Sequence, residues 1–177
     1  MTSSSLGRWL GGGLLLAGLV AACHGRRPAA PPTTSKLYSA MLNGLLQGSV
    51  PFVSVVQLRQ QPTPPVLLDT REAPEFAVSH LRGARLVGYS TFSLAAVQDL
   101  PKNAPIVVYC SVGARSEKIG LRLKQAGFTD VRNLYGGLFE WVNEGQPVVT
   151  AANQPTDRVH AYSPTWGIWL RRGQKVY

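Results

Sequence analysis

The stretch Ile106-Val107-Val108-Tyr109-Cys110-Ser111-Val112-Gly113-Ala114-Arg115-Ser116 reads as a short strand, a tight loop and the opening of a helix. An unbroken run of apolar residues, Ile106 to Tyr109, marks a strand buried on both faces of a sheet. Beyond the loop, Ser116 to Ala126 has helical periodicity and is closed by Gly127. Ile119, Leu123 and Ala126 form its inner stripe, and Glu117, Lys118, Arg122 and Lys124 are expected to face water. Cys110 then stands at the carboxyl end of a buried strand, which is where open α/β sheets bind ligands.

Working outward, Val66 to Leu68 and Val131 to Leu134 are further short apolar runs. Ala73 to Val78, Phe92 to Val97 and Leu138 to Glu144 carry helical patterns. Toward the amino terminus, Leu37, Met41, Leu42, Leu45 and Leu46 recur at helical spacing before Gly48. Phe52 to Val56 is β-rich, with a helical turn expected from Gln57 to Gln60. Buried strands alternating with amphipathic helices predict an α/β domain with a parallel core sheet. The chain of 177 residues, 45% hydrophobic and 15% charged, has room for one such domain and excludes collagen-like, coiled-coil and disordered classes.

The formal charge of +9 is unevenly spread. Residues 1–65 carry +5, residues 66–149 only +1, and residues 150–177 carry +3. A nearly neutral middle between basic flanks argues against a groove that tracks phosphates, so no nucleic-acid partner is expected. The 2 cysteines form no C-x-x-C pair and no His cluster accompanies them, so neither metal nor cofactor is expected.

The chemistry therefore falls to the loop. A short loop over a helix amino terminus aims several N–H groups at one point and makes a nest for an anion. In that nest the helix dipole and Arg115 favour the reactive thiolate of Cys110, and Gly113 supplies the backbone freedom that a tight turn requires.

Several separated motifs extend this reading. Leu68-Asp69-Thr70-Arg71-Glu72 with Glu75-Phe76, His80-Leu81-Arg82-Gly83-Ala84, the Val107 to Ser116 stretch, Ala126-Gly127-Phe128, and Asn133-Leu134-Tyr135-Gly136-Gly137-Leu138 with Trp141 together resemble the single-domain rhodanese family, from about Val53 to Pro147. The resemblance implies a rhodanese-like fold, a five-stranded parallel sheet flanked by helices, and sulfurtransferase activity. It implies Cys110 as the catalytic nucleophile that carries a persulfide. Ser111, Val112, Gly113, Ala114, Arg115 and Ser116 would bind substrate, through loop amides and the Arg115 charge. The partners it implies are a small sulfur donor such as thiosulfate and a thiol or cyanide acceptor. Related thiol phosphatases have one more residue between Cys and Arg; the four here are the shorter, sulfur-handling form. A non-enzymatic binding or persulfide-carrier module, and less readily a thiol phosphatase or arsenate reductase, remain the alternatives. Arg71 and Glu75, four apart around a helix start, are expected to form a structural ion pair. His80 is expected to fix its own loop, and Gly136-Gly137 to permit close approach of strand, turn and helix.

The ends of the chain read differently. Residues 1–22 resemble an export signal, with Arg8 before an apolar run too short to span a bilayer. Leu19-Val20-Ala21-Ala22-Cys23 resembles a bacterial lipobox, which implies lipidation of Cys23 and anchoring in the cell envelope on the periplasmic or extracytoplasmic side. Residues 23–36, rich in proline, are expected to be a spacer, and 37–150 the domain. Residues 151–177 are aromatic and basic. Trp166, Trp169 and Leu170 share one helical face, with Pro164 opening the turn and Ser163 as its cap, so this extension is expected to pack on the domain. No protein partner is legible.

Overall fold

The computed structural model describes residue 1 and residues 29–177. The export signal, Cys23 and the first part of the spacer lie outside the described residues. In chain order the elements are α1 (Lys36–Leu45), β1 (Phe52–Val53), α2 (Val55–Arg59), β2 (Val66–Asp69), α3 (Ala73–Val78), β3 (Arg85–Leu86), a 3-10 turn (Leu94–Val97), β4 (Ile106–Tyr109), α4 (Ala114–Gln125), β5 (Val131–Leu134) and α5 (Gly137–Asn143). The carboxyl-terminal part adds β6 (Val148–Val149), β7 (Pro155–Thr156), β8 (Arg158–His160), α6 (Pro164–Gly167) and β9 (Gln174–Val176).

Strands β1, β5, β4, β2 and β3 pair in that order, all parallel. The central strand shows why the sheet is covered on both sides. Its four side chains are fully buried, and they alternate between two cores. Val107 and Tyr109 join Leu42, Leu134 and Leu138 on one face. Ile106 and Val108 join Leu68, Ile119 and Leu123 on the other. Each such side chain contributes about 1.5–3 kcal/mol by leaving water.

Four sequence expectations change. Glu117 is buried rather than solvated, because its carboxylate accepts the Gln47 and Ser49 N–H groups at 2.9 and 2.7 Å just after α1. Arg71 pairs with Asp69 at 2.6 Å rather than with the Glu75 carboxylate, and both partners are fully buried. Phe92 to Val97 yields only the 3-10 turn. Val55 and Val56 belong to α2, because Ser54 and Gln57 form a capping box that starts the helix there.

The carboxyl-terminal extension is tied to the domain at several points. The Trp169 ring stacks on Tyr38 with centroids 5.5 Å apart. Asn143 in α5 donates to the Trp169 carbonyl at 2.9 Å and accepts the Arg171 N–H at 2.7 Å. Val159, Ala161 and Leu170 are buried in the same core as α1 and α5. Ser163 precedes α6 as its cap residue and Pro164 occupies the first turn, but the Ser163 hydroxyl makes no capping bond.

Candidate active site

Strand β4 delivers Cys110 to the carboxyl edge of the sheet, next to the amino terminus of α4. Gly113 caps that helix with φ +111°, a backbone region open to glycine and costly to other residues. In this turn the Gly113 N–H donates to Cys110 Sγ at 3.1 Å. The N–H groups of Ala114, Arg115 and Ser116 follow at the helix start, where no preceding helical carbonyl exists to accept them. Partial positive charge is therefore concentrated beside the sulfur.

Two elements hold the loop from behind. The N–H groups of Leu138 and Phe139, in the first turn of α5, donate to the carbonyls of Cys110 and Ser111 at 2.8 and 3.0 Å. This contact requires Gly137, where a Cβ would lie 2.4 Å from the Cys110 oxygen. On the other side, Asn133 of β5 donates to the Gly113 carbonyl at 2.9 Å and accepts the Ser116 hydroxyl at 2.7 Å.

The expected binding residues consequently divide. Ser111, Val112, Ala114 and Arg115 line a cavity of about 150 Å³ with Cys110, whereas Gly113 and Ser116 do not reach it with their own surface. The Ser116 hydroxyl is fully buried against Gly113 and Asn133.

Arg115 places its two terminal nitrogens on the two carboxylate oxygens of Glu75, each at 2.7 Å. Burial is the largest single influence and disfavours charge on both groups, but the mutual hydrogen bonds, together with the Glu72 N–H on Glu75 and the neighbouring charges, outweigh it. The Glu75 carboxyl is held below its usual value and the Arg115 guanidinium above its own. The Ser111 hydroxyl bridges the pair, donating to Glu75 at 3.3 Å and accepting from Arg115 at 3.2 Å. The Tyr162 ring lies 5.1 Å from the Arg115 guanidinium carbon.

Asp69 and Arg71 form a clamp beneath the site. Arg71 is fully buried, donates to both Asp69 carboxylate oxygens and to the Ser79 carbonyl, and lies over the Tyr109 ring. His80 stacks on Phe76 and exchanges backbone hydrogen bonds with Val149.

The sequence reading missed the pairing of Glu75 with Arg115, the supporting role of Asn133, and the cavity residues Leu45, Tyr162 and Trp166. Glu75 and Asn133 stood within the quoted motifs, but nothing in them states a partner. No periodicity links Leu45 or Tyr162 to Cys110.

Residues 54–144 match the family model described as the Rhodanese-like domain. A sulfurtransferase of Allochromatium vinosum is 32% identical over 84 residues, covering 48% of this chain and 78% of that protein. The thiosulfate sulfurtransferase GlpE of Pseudomonas aeruginosa is 37% identical over 76 residues, covering 42% of this chain and 67% of that protein. The probable adenylyltransferase/sulfurtransferase MoeZ of Mycobacterium tuberculosis is 34% identical over 82 residues, which are 46% of this chain and only 21% of that longer protein. Among solved structures, the rhodanese-like domain of an Anabaena protein is 25% identical with a TM-score of 0.52, covering 57% of this chain and 80% of that one. A rhodanese-related protein of Thermoplasma volcanium, also 25% identical, has a TM-score of 0.51 and covers 56% of this chain and 98% of that one.

Proposed function

The chain belongs to the rhodanese-like family, and on that premise we propose that it is a sulfurtransferase carrying sulfane sulfur on Cys110. The supporting observation is the Gly113 N–H aimed at Cys110 Sγ from 3.1 Å, at the start of α4. A sulfur so placed is a nucleophile with N–H donors at hand for the anion that its reaction creates.

In the first displacement the Cys110 thiolate attacks the outer sulfur of thiosulfate. The donor's S–S bond breaks, sulfite leaves with the bonding pair, and a Cys110 persulfide anion remains. In the second, cyanide or a thiolate attacks the terminal sulfur and the Cys110 thiolate leaves. The amides that follow Cys110 stabilise the persulfide, and Arg115 contributes to holding an anionic donor. Two displacements through one covalent intermediate give ping-pong kinetics.

The test is mass spectrometry of the protein after incubation with thiosulfate. A gain of one sulfur on Cys110, discharged by cyanide as thiocyanate, is expected; no gain from any sulfane donor overturns the reading.

We also propose a lipid anchor on Cys23 and an envelope location. The support is the Leu19 to Cys23 motif alone. Cys23→Ala should abolish acyl labelling and membrane retention; unchanged retention overturns the anchor.

A further inference from the structure

The cavity at Cys110 is bounded by chain segments that the family match does not include. Leu45 ends α1, and Tyr162 and Trp166 come from the carboxyl-terminal extension, whereas the match spans residues 54–144. The loop side of the cavity offers N–H donors, and the facing side is aliphatic and aromatic.

A bare inorganic anion is held by N–H donors and positive charge and gains nothing from an apolar wall. Here the cation at the cavity is shared, because Arg115 is bonded through both terminal nitrogens to Glu75 and lies against the Tyr162 ring, so only part of its charge serves an anionic donor. What the facing wall provides instead is surface that favours removal of a carbon skeleton from water.

The wall is a fixed part of the structure. Tyr162 has φ +67°, in the left-handed region that bulky residues rarely enter. Its N–H donates to His160 Nδ1 at 3.1 Å. On either side, the Ala161 N–H donates to the Val176 carbonyl at 2.8 Å, and the Ser163 N–H donates to the Ala161 carbonyl at 2.8 Å. Trp166 lies in α6, just before the Trp169 that stacks on Tyr38. A backbone conformation unfavourable to tyrosine, held on both sides, presents the ring beside the reactive sulfur.

We propose that the carboxyl-terminal extension selects the sulfur partner, with Tyr162, Trp166 and Leu45 binding the aromatic or apolar portion of an organic thiol or organic persulfide. The cavity volume of about 150 Å³ is of the size that holds a benzene ring. The assignment of a substrate class rests on the sulfurtransferase reading. Written for the donor, the Cys110 thiolate attacks the terminal sulfur of R–S–S⁻, the S–S bond of the donor breaks, R–S⁻ leaves with the bonding pair, and a Cys110 persulfide anion remains. Transfer to an acceptor thiolate is the reverse, and neither direction needs an outside oxidant or reductant.

Alkylation separates the wall from the transfer chemistry. Iodoacetamide and N-benzyliodoacetamide share one reacting carbon, and their rates at Cys110 of the full chain are compared after normalising to free cysteine. The benzyl reagent is expected to be favoured about tenfold, the effect of partly burying a phenyl ring. Tyr162→Gly, which removes the ring and suits the positive φ, should abolish the preference, and Tyr162→Phe should keep it. Trp166→Leu is a second variant that should reduce it. The same order should appear in kcat/KM for phenylmethanethiol relative to 2-mercaptoethanol as acceptors of thiosulfate-derived sulfur. Equal alkylation preference in the native chain and Tyr162→Gly overturns the wall, whatever the transfer activity. Failure of Cys110 to load sulfur from both thiosulfate and an organic persulfide overturns the sulfurtransferase reading and the substrate class with it.

Discussion

Arg115 and Glu75, forty positions apart, meet in a bidentate pair whose two N···O distances are both 2.7 Å, at the edge of the Cys110 cavity. The pair shares out the one positive charge that an anionic donor would use. Glu75→Gln should therefore lower KM for thiosulfate several-fold while destabilising the domain by about 2 kcal/mol, since Arg115 then keeps a partly buried charge without its counterion. Arg115→Ala should raise KM for thiosulfate instead. Steady-state kinetics with cyanide as acceptor, and thermal melting, read both effects. Unchanged thiosulfate KM in both variants would show that the donor does not meet this charge.

The same pair sets an acid limit on stability. Burial raises the Glu75 carboxyl, but the Arg115 hydrogen bonds, the Glu72 N–H and the charges of Arg115 and Arg71 bring it below its ordinary 4.5. A carboxylate lowered on folding contributes stability that is complete above its unfolded value and is lost as pH falls through the folded value. The melting difference between the native chain and Glu75→Gln should be constant above about pH 4.5 and shrink below it. A difference that instead grows on acidification refutes this assignment.

Cys110→Ser should abolish sulfur loading and thiocyanate formation, because a serine hydroxyl supplies no comparable nucleophile under these conditions. The side chain is buried and the substitution is close to isosteric, so the melting temperature should move little. Residual thiocyanate formation at the native rate would assign the chemistry elsewhere.

The strand, loop and helix around Cys110 were legible because each leaves a local mark: an unbroken apolar run, a glycine at the turn, and a periodic helix. Strand β3 leaves none. Arg85 and Leu86 are half-buried and join the sheet through backbone pairing with Leu68 and Asp69, which side-chain pattern does not encode. Glu117 misled for a related reason. An acidic residue on an amphipathic helix reads as solvated, and only the tertiary fold brings the Gln47 and Ser49 N–H groups to it. The site follows the same division. Cys110 and its loop form one continuous segment, whereas Glu75, Leu45 and Tyr162 reach the cavity by chain paths that no spacing rule connects.

Gly137→Ala tests how the loop is held. A methyl group there would stand 2.4 Å from the Cys110 carbonyl and 2.7 Å from that of Ser111, at a φ of +58°. Both the clash and the backbone disfavour alanine, for a loss of about 2 kcal/mol and roughly 5 °C in melting temperature. Because the displaced atoms belong to the nucleophile's own loop, kcat should fall more than stability alone explains. A variant that melts and turns over as the native chain does would show that the α5 contact leaves the loop unconstrained.

Removing residues 158–177 tests whether the extension belongs to the core. The deletion takes away Val159, Ala161 and Leu170, each at most 1% exposed, and uncovers Tyr38 by removing the stacked Trp169. It also leaves Asn143 without the backbone groups of Trp169 and Arg171 that satisfy its side chain. The apolar loss outweighs the chain entropy recovered, so the truncated domain should be less stable by about 3 kcal/mol and melt roughly 10 °C lower. It should also bind more of a hydrophobic dye. Calorimetry of the two forms decides the point. Equal melting, with unchanged emission from Trp141, would reassign the extension to a partner or a membrane surface.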